Sequence, residues 1–173
     1  TYVADNNGTL KGTTSEYHNK YKVKADGTLE LGSDGNPIPV EGMINPEVNV
    51  TITPSTGYKF DSWTDSSNNT YNTTDALKAT PYAVKDETFT AHFTKDEFAY
   101  KVYKHYENAE TVVAKEGTGT FGENILSVSG IVLADAEDYN GHHYILEKVD
   151  GTGSVITANV DSNRVDIYYV LDE

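Results

Sequence analysis

The chain contains no cysteine, one tryptophan, one methionine and five prolines in 173 residues. The missing cysteine excludes a disulfide framework, a thiolate-ligated zinc or iron–sulfur site and a cysteine nucleophile. Cations are scarce. Thirteen Lys+Arg stand against 27 Asp+Glu, a formal net charge of -14, and Arg164 is the one arginine. A nucleic-acid binder needs a basic face to neutralise phosphates, and docking on anionic lipid needs polybasic segments, so neither partner is expected. Long apolar runs are missing too. Ile167-Tyr168-Tyr169-Val170-Leu171 and Ile131-Val132-Leu133-Ala134 are far too short to cross a bilayer, and no membrane insertion is expected. No signal-peptide pattern is present, and the chain reads as an excised piece of a longer, exported protein.

What is present points to β structure. Thirteen Tyr against five Phe suits half-exposed sheet faces, where a ring can be apolar in body and wet at its tip. Asn, Asp, Gly, Ser and Thr supply turns, so many short strands and few long helices are expected. The length allows one or two domains.

The first stretch has a strand rhythm. Thr1-Tyr2-Val3-Ala4 runs into the turn Asp5-Asn6-Asn7-Gly8, and Thr9-Leu10 resumes extended. Tyr21 to Lys24 and Thr28 to Leu31 flank Asp26-Gly27 and predict a polar hairpin. Val48 to Thr53 alternates, with Val48, Val50 and Ile52 on one face. Gly57 turns the chain into Tyr58 to Trp63. There Tyr58, Phe60 and Ser62 share a face and Trp63 falls on the other unless a bulge re-aims it. Thr74 to Lys78 predicts one helical turn capped by Thr73 or Thr74. Thr88 to Phe93 closes the unit, with Phe89, Ala91 and Phe93 on one face and His92 on the solvent side.

Lys95-Asp96-Glu97 is a polar joint, dividing residues 1–95 from 96–173. Phe98 to Tyr106 is a long aromatic strand, followed by a turn and Thr111 to Lys115. Gly117, Gly119 and Gly122 break the strand pattern. Glu123 to Ala136 is the best place for a short helix, although Gly130 weakens it. Tyr144 to Val149 and Arg164 to Val170 are strands, the latter with Val165, Ile167 and Tyr169 inward. Gly57-Tyr58-Lys59-Phe60 and Gly141-His142-His143-Tyr144 occupy like places, which suggests tandem modules of similar size.

Gly57-Tyr58-Lys59-Phe60-Asp61-Ser62-Trp63 with Thr88-Phe89-Thr90-Ala91-His92-Phe93 resembles the internalin-type B-repeat (the Listeria–Bacteroides repeat). The opening Tyr2 to Leu10 looks like the start of such repeats, and Tyr17 to roughly Pro39 looks like an insertion forming an added hairpin. Tyr100-Lys101-Val102-Tyr103, Gly119 to Ile125 and Asn163 to Tyr169 resemble the MucBP (mucin-binding-protein) repeat. The resemblance implies a mainly β chain of two tandem β-grasp-like modules, each a small mixed sheet with at most one short helix. First and last strands should run side by side. It also implies an extracellular, cell-wall-anchored protein of Gram-positive bacteria, a stalk or adhesin that binds host glycan, mucin or protein and neighbours other repeats of its own chain. It brings no catalytic residues.

Candidate sites are few. His142-His143 are adjacent on a strand and cannot easily share one metal. His18 and His105 have Glu16 and Glu107 two positions away, but no zinc-protease spacing exists. The acidic turns at Asp5, Asp34, Asp65 and Asp135 to Asp138 offer oxygens that suit Ca²⁺, yet none fits the calcium-loop spacing, and Asx residues satisfy their own turns. No cofactor is therefore expected. Gly117 to Gly122 fits G-x-G-x-x-G only superficially, the MucBP resemblance implies that these glycines are turn residues, and no nucleophile elbow or P-loop occurs, so no enzyme is expected. Trp63 reads as a packing residue. Tyr103, Tyr106, Tyr139 and Tyr168 are the candidate exposed aromatics for a ligand surface. A non-catalytic spacer or weak multivalent adhesin, monomeric in itself, is the leading expectation, and an accessory carbohydrate-binding module of a secreted glycoside hydrolase is the alternative.

Overall fold

The computed structural model describes residues 1–172, and the chain divides into two compact units, Thr1–Thr94 and Lys95–Glu173. The fold is mainly β, with helix confined to short segments.

The first unit comprises β1 (Tyr2–Ala4), β2 (Gly8–Gly12), β3 (Met43–Ile44), β4 (Val50–Pro54), β5 (Tyr58–Thr64), β6 (Thr70–Tyr71), α1 (Thr74–Lys78), β7 (Tyr82–Ala83) and β8 (Phe89–Lys95). Its main sheet has the order β1-β8-β5-β6, and β1 runs parallel to β8 in the register Tyr2↔Phe89, Val3↔Thr90, Ala4↔Ala91. The β2–β4 and β3–β7 pairs are antiparallel. Alternation holds on β8, where Phe89, Ala91 and Phe93 are buried. It fails at the end of β5, where Ser62 and Trp63 are both buried. Trp63 has no exposed surface, meets Tyr2 edge-on at 5.9 Å, and donates its indole N–H to Thr74 Oγ1 at 3.1 Å. Thr73 caps α1 by accepting the Ala76 N–H, and Leu77 plugs the helix into the core.

The strand expected over Val48 to Thr53 begins at Val50. Val48 instead adopts φ 51°, a costly region for a β-branched residue. It is held there because its N–H donates to Tyr2 Oη at 3.3 Å, while the preceding Glu47 N–H donates to Glu16 at 3.0 Å. The inserted stretch is more than a hairpin. Three short segments pair cyclically through the bridges Val23↔Leu29, Leu31↔Pro37 and Tyr21↔Pro39, so each segment bonds both others.

The second unit comprises β9 (Glu97–Tyr106), β10 (Thr111–Thr120), α2 (Ile125–Ser129), β11 (Ala136–Tyr139), β12 (His142–Asp150), a 3-10 turn over Val160–Ser162 and β13 (Arg164–Leu171). They form one mixed sheet of order β10-β9-β13-β12-β11, with β9 and β13 parallel at its centre. Val102, Ile156, Val165 and Ile167 are fully buried with Ile125 of α2, and Tyr100, Tyr106, Tyr144 and Tyr169 complete the core. The helix is shorter than the span Glu123 to Ala136. Asn124 caps it by accepting the Ser127 N–H, and Gly130 at φ 70° ends it. Gly117 and Gly119 are not turn residues. Both lie inside β10, where a Cβ would stand 3.1 Å from Tyr100 Oη or from Ile156. They are small because core side chains lie against the strand.

The two units share a plan. First and last strands are parallel neighbours in each, and Gly57 and Gly141 both precede the strand that flanks the last one.

Candidate functional site

The second unit's sheet carries an ordered strip of side chains on the face away from its core. Period-two geometry sends Val102 and Tyr106 inward on β9 and leaves Tyr103 and His105 outward. The parallel register sets Asp166 opposite Tyr103 and Tyr168 opposite His105. On β12 an irregularity between Leu146 and Lys148 shifts the parity, so Lys148 lies opposite Tyr168 while Val149 still packs on the core.

Asp166 is the hub. Its carboxylate accepts the Arg164 Nε–H at 2.7 Å and a second bond from Arg164 Nη2, and lies 2.6 Å from His105 Nε2. The Arg164 bonds, with His105 adding to them against the opposing effect of burial, hold the Asp166 carboxyl below its ordinary value. The His105 ring stacks on Tyr168 at 4.5 Å and 11°, and its Nδ1 is 3.0 Å from Thr111 Oγ1. Lys148 Nζ stands 4.5 Å over the Tyr168 ring and Arg164 Cζ 4.4 Å over the Tyr103 ring. Cation–π contacts of this kind contribute roughly 0.5–1 kcal/mol where exposed. At the Tyr103 end the strip borders a hollow of about 280 Å³ formed with Lys101, Val160, Asp161 and Arg164.

A hydroxyl, an imidazole and a carboxylate thus stand in line at Thr111, His105 and Asp166. The carboxylate is shared with the Arg164 fork, and the imidazole is clamped flat against Tyr168. These contacts make a rigid, laterally bonded aromatic and charged surface.

The four candidate tyrosines separate. Tyr103 and Tyr168 are half-buried on this strip. Tyr106 is not a surface residue: it is 7% exposed, because residue 106 shares the inward parity of 100 and 102. Its ring stacks on Tyr139 at 4.1 Å, and its hydroxyl donates to Glu137. Tyr139 is half-buried and borders a separate hollow of about 420 Å³ with Glu107, Glu110, His142 and Tyr144. Glu137 also takes Lys104 Nζ at 2.6 and 2.8 Å. Burial pushes the Glu137 carboxyl up, but the bonds from Lys104 and Tyr106 outweigh it and leave it below its ordinary value.

The remaining candidates other than His105 stand apart from the strip. His105 pairs with Asp166 rather than Glu107, whose carboxylate accepts the Leu171 N–H. His18 does meet Glu16, at 3.1 Å. His143 lies 2.7 Å from Asp138, and its neighbour His142 borders the Tyr139 hollow. His92 is half-exposed and bonds Thr64. Asp34 and Asp65 accept from Asn36 and from Ser67 and Asn69 in their own turns. Among the described residues no group of three or more His, Asp or Glu is placed to hold a metal ion.

Sequence reasoning missed a hollow of about 570 Å³ in the first unit, bordered by Glu16, Tyr17, His18, Tyr82 and Glu87. It is assembled from segments far apart in the chain, and Glu16, Tyr17 and His18 lie in a stretch with no strand pattern, where Tyr17 is 91% exposed.

Residues 20–97 match the family of the divergent InlB B-repeat domain. The match starts at the inserted meander, which therefore belongs to the matched region, and Tyr2 to Leu10 lies outside it. No curated protein matches, and no solved structure matches. B-repeat domains are surface-exposed bacterial repeat modules. No helix among the described residues is long and apolar enough to cross a membrane.

Proposed function

We propose that this chain is a non-catalytic, extracellular repeat region of a wall-anchored bacterial surface protein, a spacer whose second unit is a MucBP-like module with weak adhesive capacity. The observation that carries the spacer reading is the shared plan of the two units, with the B-repeat match covering most of the first. In each unit the first and last strands are parallel, so the chain enters at one end of the sheet and leaves at the other. Modules built this way can be strung in series without the chain doubling back.

The adhesive part rests on the Tyr103–Arg164 and His105–Tyr168–Lys148 strip. Its rings are already immobilised, so little side-chain entropy is lost when a partner stacks on or bonds to them. A single strip of this size is weak, and an array raises avidity through effective concentration. Host glycan or mucin-type glycoprotein is the partner class. The test is binding of a multimerised chain to immobilised mucin, compared with the Tyr103→Ala/Tyr168→Ala variant. Saturable binding that the variant loses supports adhesion at the strip. Equal binding by both moves adhesion off the strip, and no binding by either leaves the spacer role alone.

A further inference from the structure

The two units pair their terminal strands alike but to different extents. In the second unit β9 and β13 are in parallel register over six residue pairs, from Arg164↔Lys101 to Tyr169↔Tyr106. The bonds Lys101 N–H to Asn163 O at 3.0 Å and Glu107 N–H to Tyr169 O at 2.9 Å bracket this ladder. Both strands are central, with β10 outside one and β12 outside the other. Their inward residues, Val102, Tyr106, Val165, Ile167 and Tyr169, are core. In the first unit the equivalent register covers three pairs, and β1 is the edge strand of its sheet. Of its residues Tyr2 is buried, while Val3 is 39% exposed.

Tension applied through the chain ends acts at opposite ends of a parallel pair. It must slide one strand along the other and load all the bonds of the ladder together. A pair pulled from one end opens bond by bond. The resistance of a sheared ladder therefore grows with the number of registered pairs and with how well both strands are held from the side.

We infer that the chain is a graded mechanical tether: the first unit yields at low tension by loss of β1 from β8, and the second holds through the β9–β13 ladder. The first unit lengthens the chain and relieves load before the second is threatened. The use of this behaviour at a cell surface rests on the spacer reading. The mechanical order rests only on the registers, so it survives if the adhesive or wall-anchored reading fails.

The test is single-molecule stretching of the whole chain from its two ends. The first unit has 94 residues and the second 79 by their boundaries, so the steps should release about 310–340 Å and about 260–285 Å before subtracting the folded spans. The longer step is expected first and at lower force. A second geometry uses Asp161→Cys, an exposed position just before β13, which gives a chain without native cysteine a single thiol for attachment. Pulling between the N-terminus and that introduced thiol loads β9 and β13 from the same end. The force of the second unit's step should then fall by about two-fold or more, since forced unfolding follows the barrier along the pulled direction, while the first unit's step is unchanged. The inference is overturned if the shorter step comes first, or if the second unit resists equally in both geometries.

Discussion

Lys104 and Glu137 are each 21% exposed at the side chain, beneath a roof of tyrosine rings. In that setting one charge without the other costs more than the pair contributes. Lys104→Met should therefore lower the second unit's unfolding free energy by about 1–3 kcal/mol. Adding Glu137→Leu to it should recover part of the loss, and a double-mutant cycle by urea denaturation measures both. Additivity of the two changes would contradict the coupling described. This cluster was half legible. The even residues 100, 102 and 106 of β9 face one way, so the burial of Tyr106 follows from counting from Val102. Nothing local to Glu137 announces its partners, which stand 31 and 33 residues away. Val48 was illegible for the same reason: its left-handed backbone is imposed by Tyr2 and by the Glu16 bond to its neighbour Glu47, from other parts of the chain.

At the scale of elements, strands that alternate cleanly and glycines in tight turns were readable, and the glycines inside β10 were not. Val165, Ile167 and Tyr169 are inward because period two allows nothing else once Val165 faces the core. Gly119 reads as a turn residue by the MucBP resemblance, but it is a strand residue facing Ile156 and Val128 at 3.1–3.2 Å from where a Cβ would sit. Gly119→Val should overpack this contact and cost about 1–3 kcal/mol, lowering Tm with the sheet retained by circular dichroism. At the helix, Asn124→Ala removes the cap on Ser127 and the side chain's bond to the Thr152 carbonyl. A loss of about 1–2 kcal/mol is expected in the same measurement. The three-way pairing of the inserted meander was hidden because a hairpin signal around Asp26-Gly27 says nothing of a third segment that returns across both arms.

For the whole molecule, the charge of -14 sets how acid acts. Glu16 and Glu87 in the first unit are held below the ordinary carboxylate value: burial raises each, and bonds from Tyr2 and His18, or from Ser66 and Thr88, outweigh it. Glu137 and Asp166 do the same in the second unit. A carboxyl with a lower pKa folded than unfolded binds fewer protons in the folded state. Its stabilising contribution is complete above the unfolded value, about 4, and disappears as pH falls through the depressed folded value. Both units should thus lose stability below about pH 4.5, against the relief of self-repulsion that protonation brings. The one tryptophan makes the units separable. Trp63 is buried in the first unit and has no counterpart in the second. In a urea titration its emission should follow the first unit alone, while far-ultraviolet circular dichroism follows both. The first unit's smaller core places the fluorescence midpoint at lower urea, and lowering the pH from 7 to 3.5 should move both midpoints down. Coincident midpoints at every pH would mean that the chain unfolds as one cooperative body. Both midpoints rising on acidification would mean that relief of net charge outweighs the carboxylate bonds.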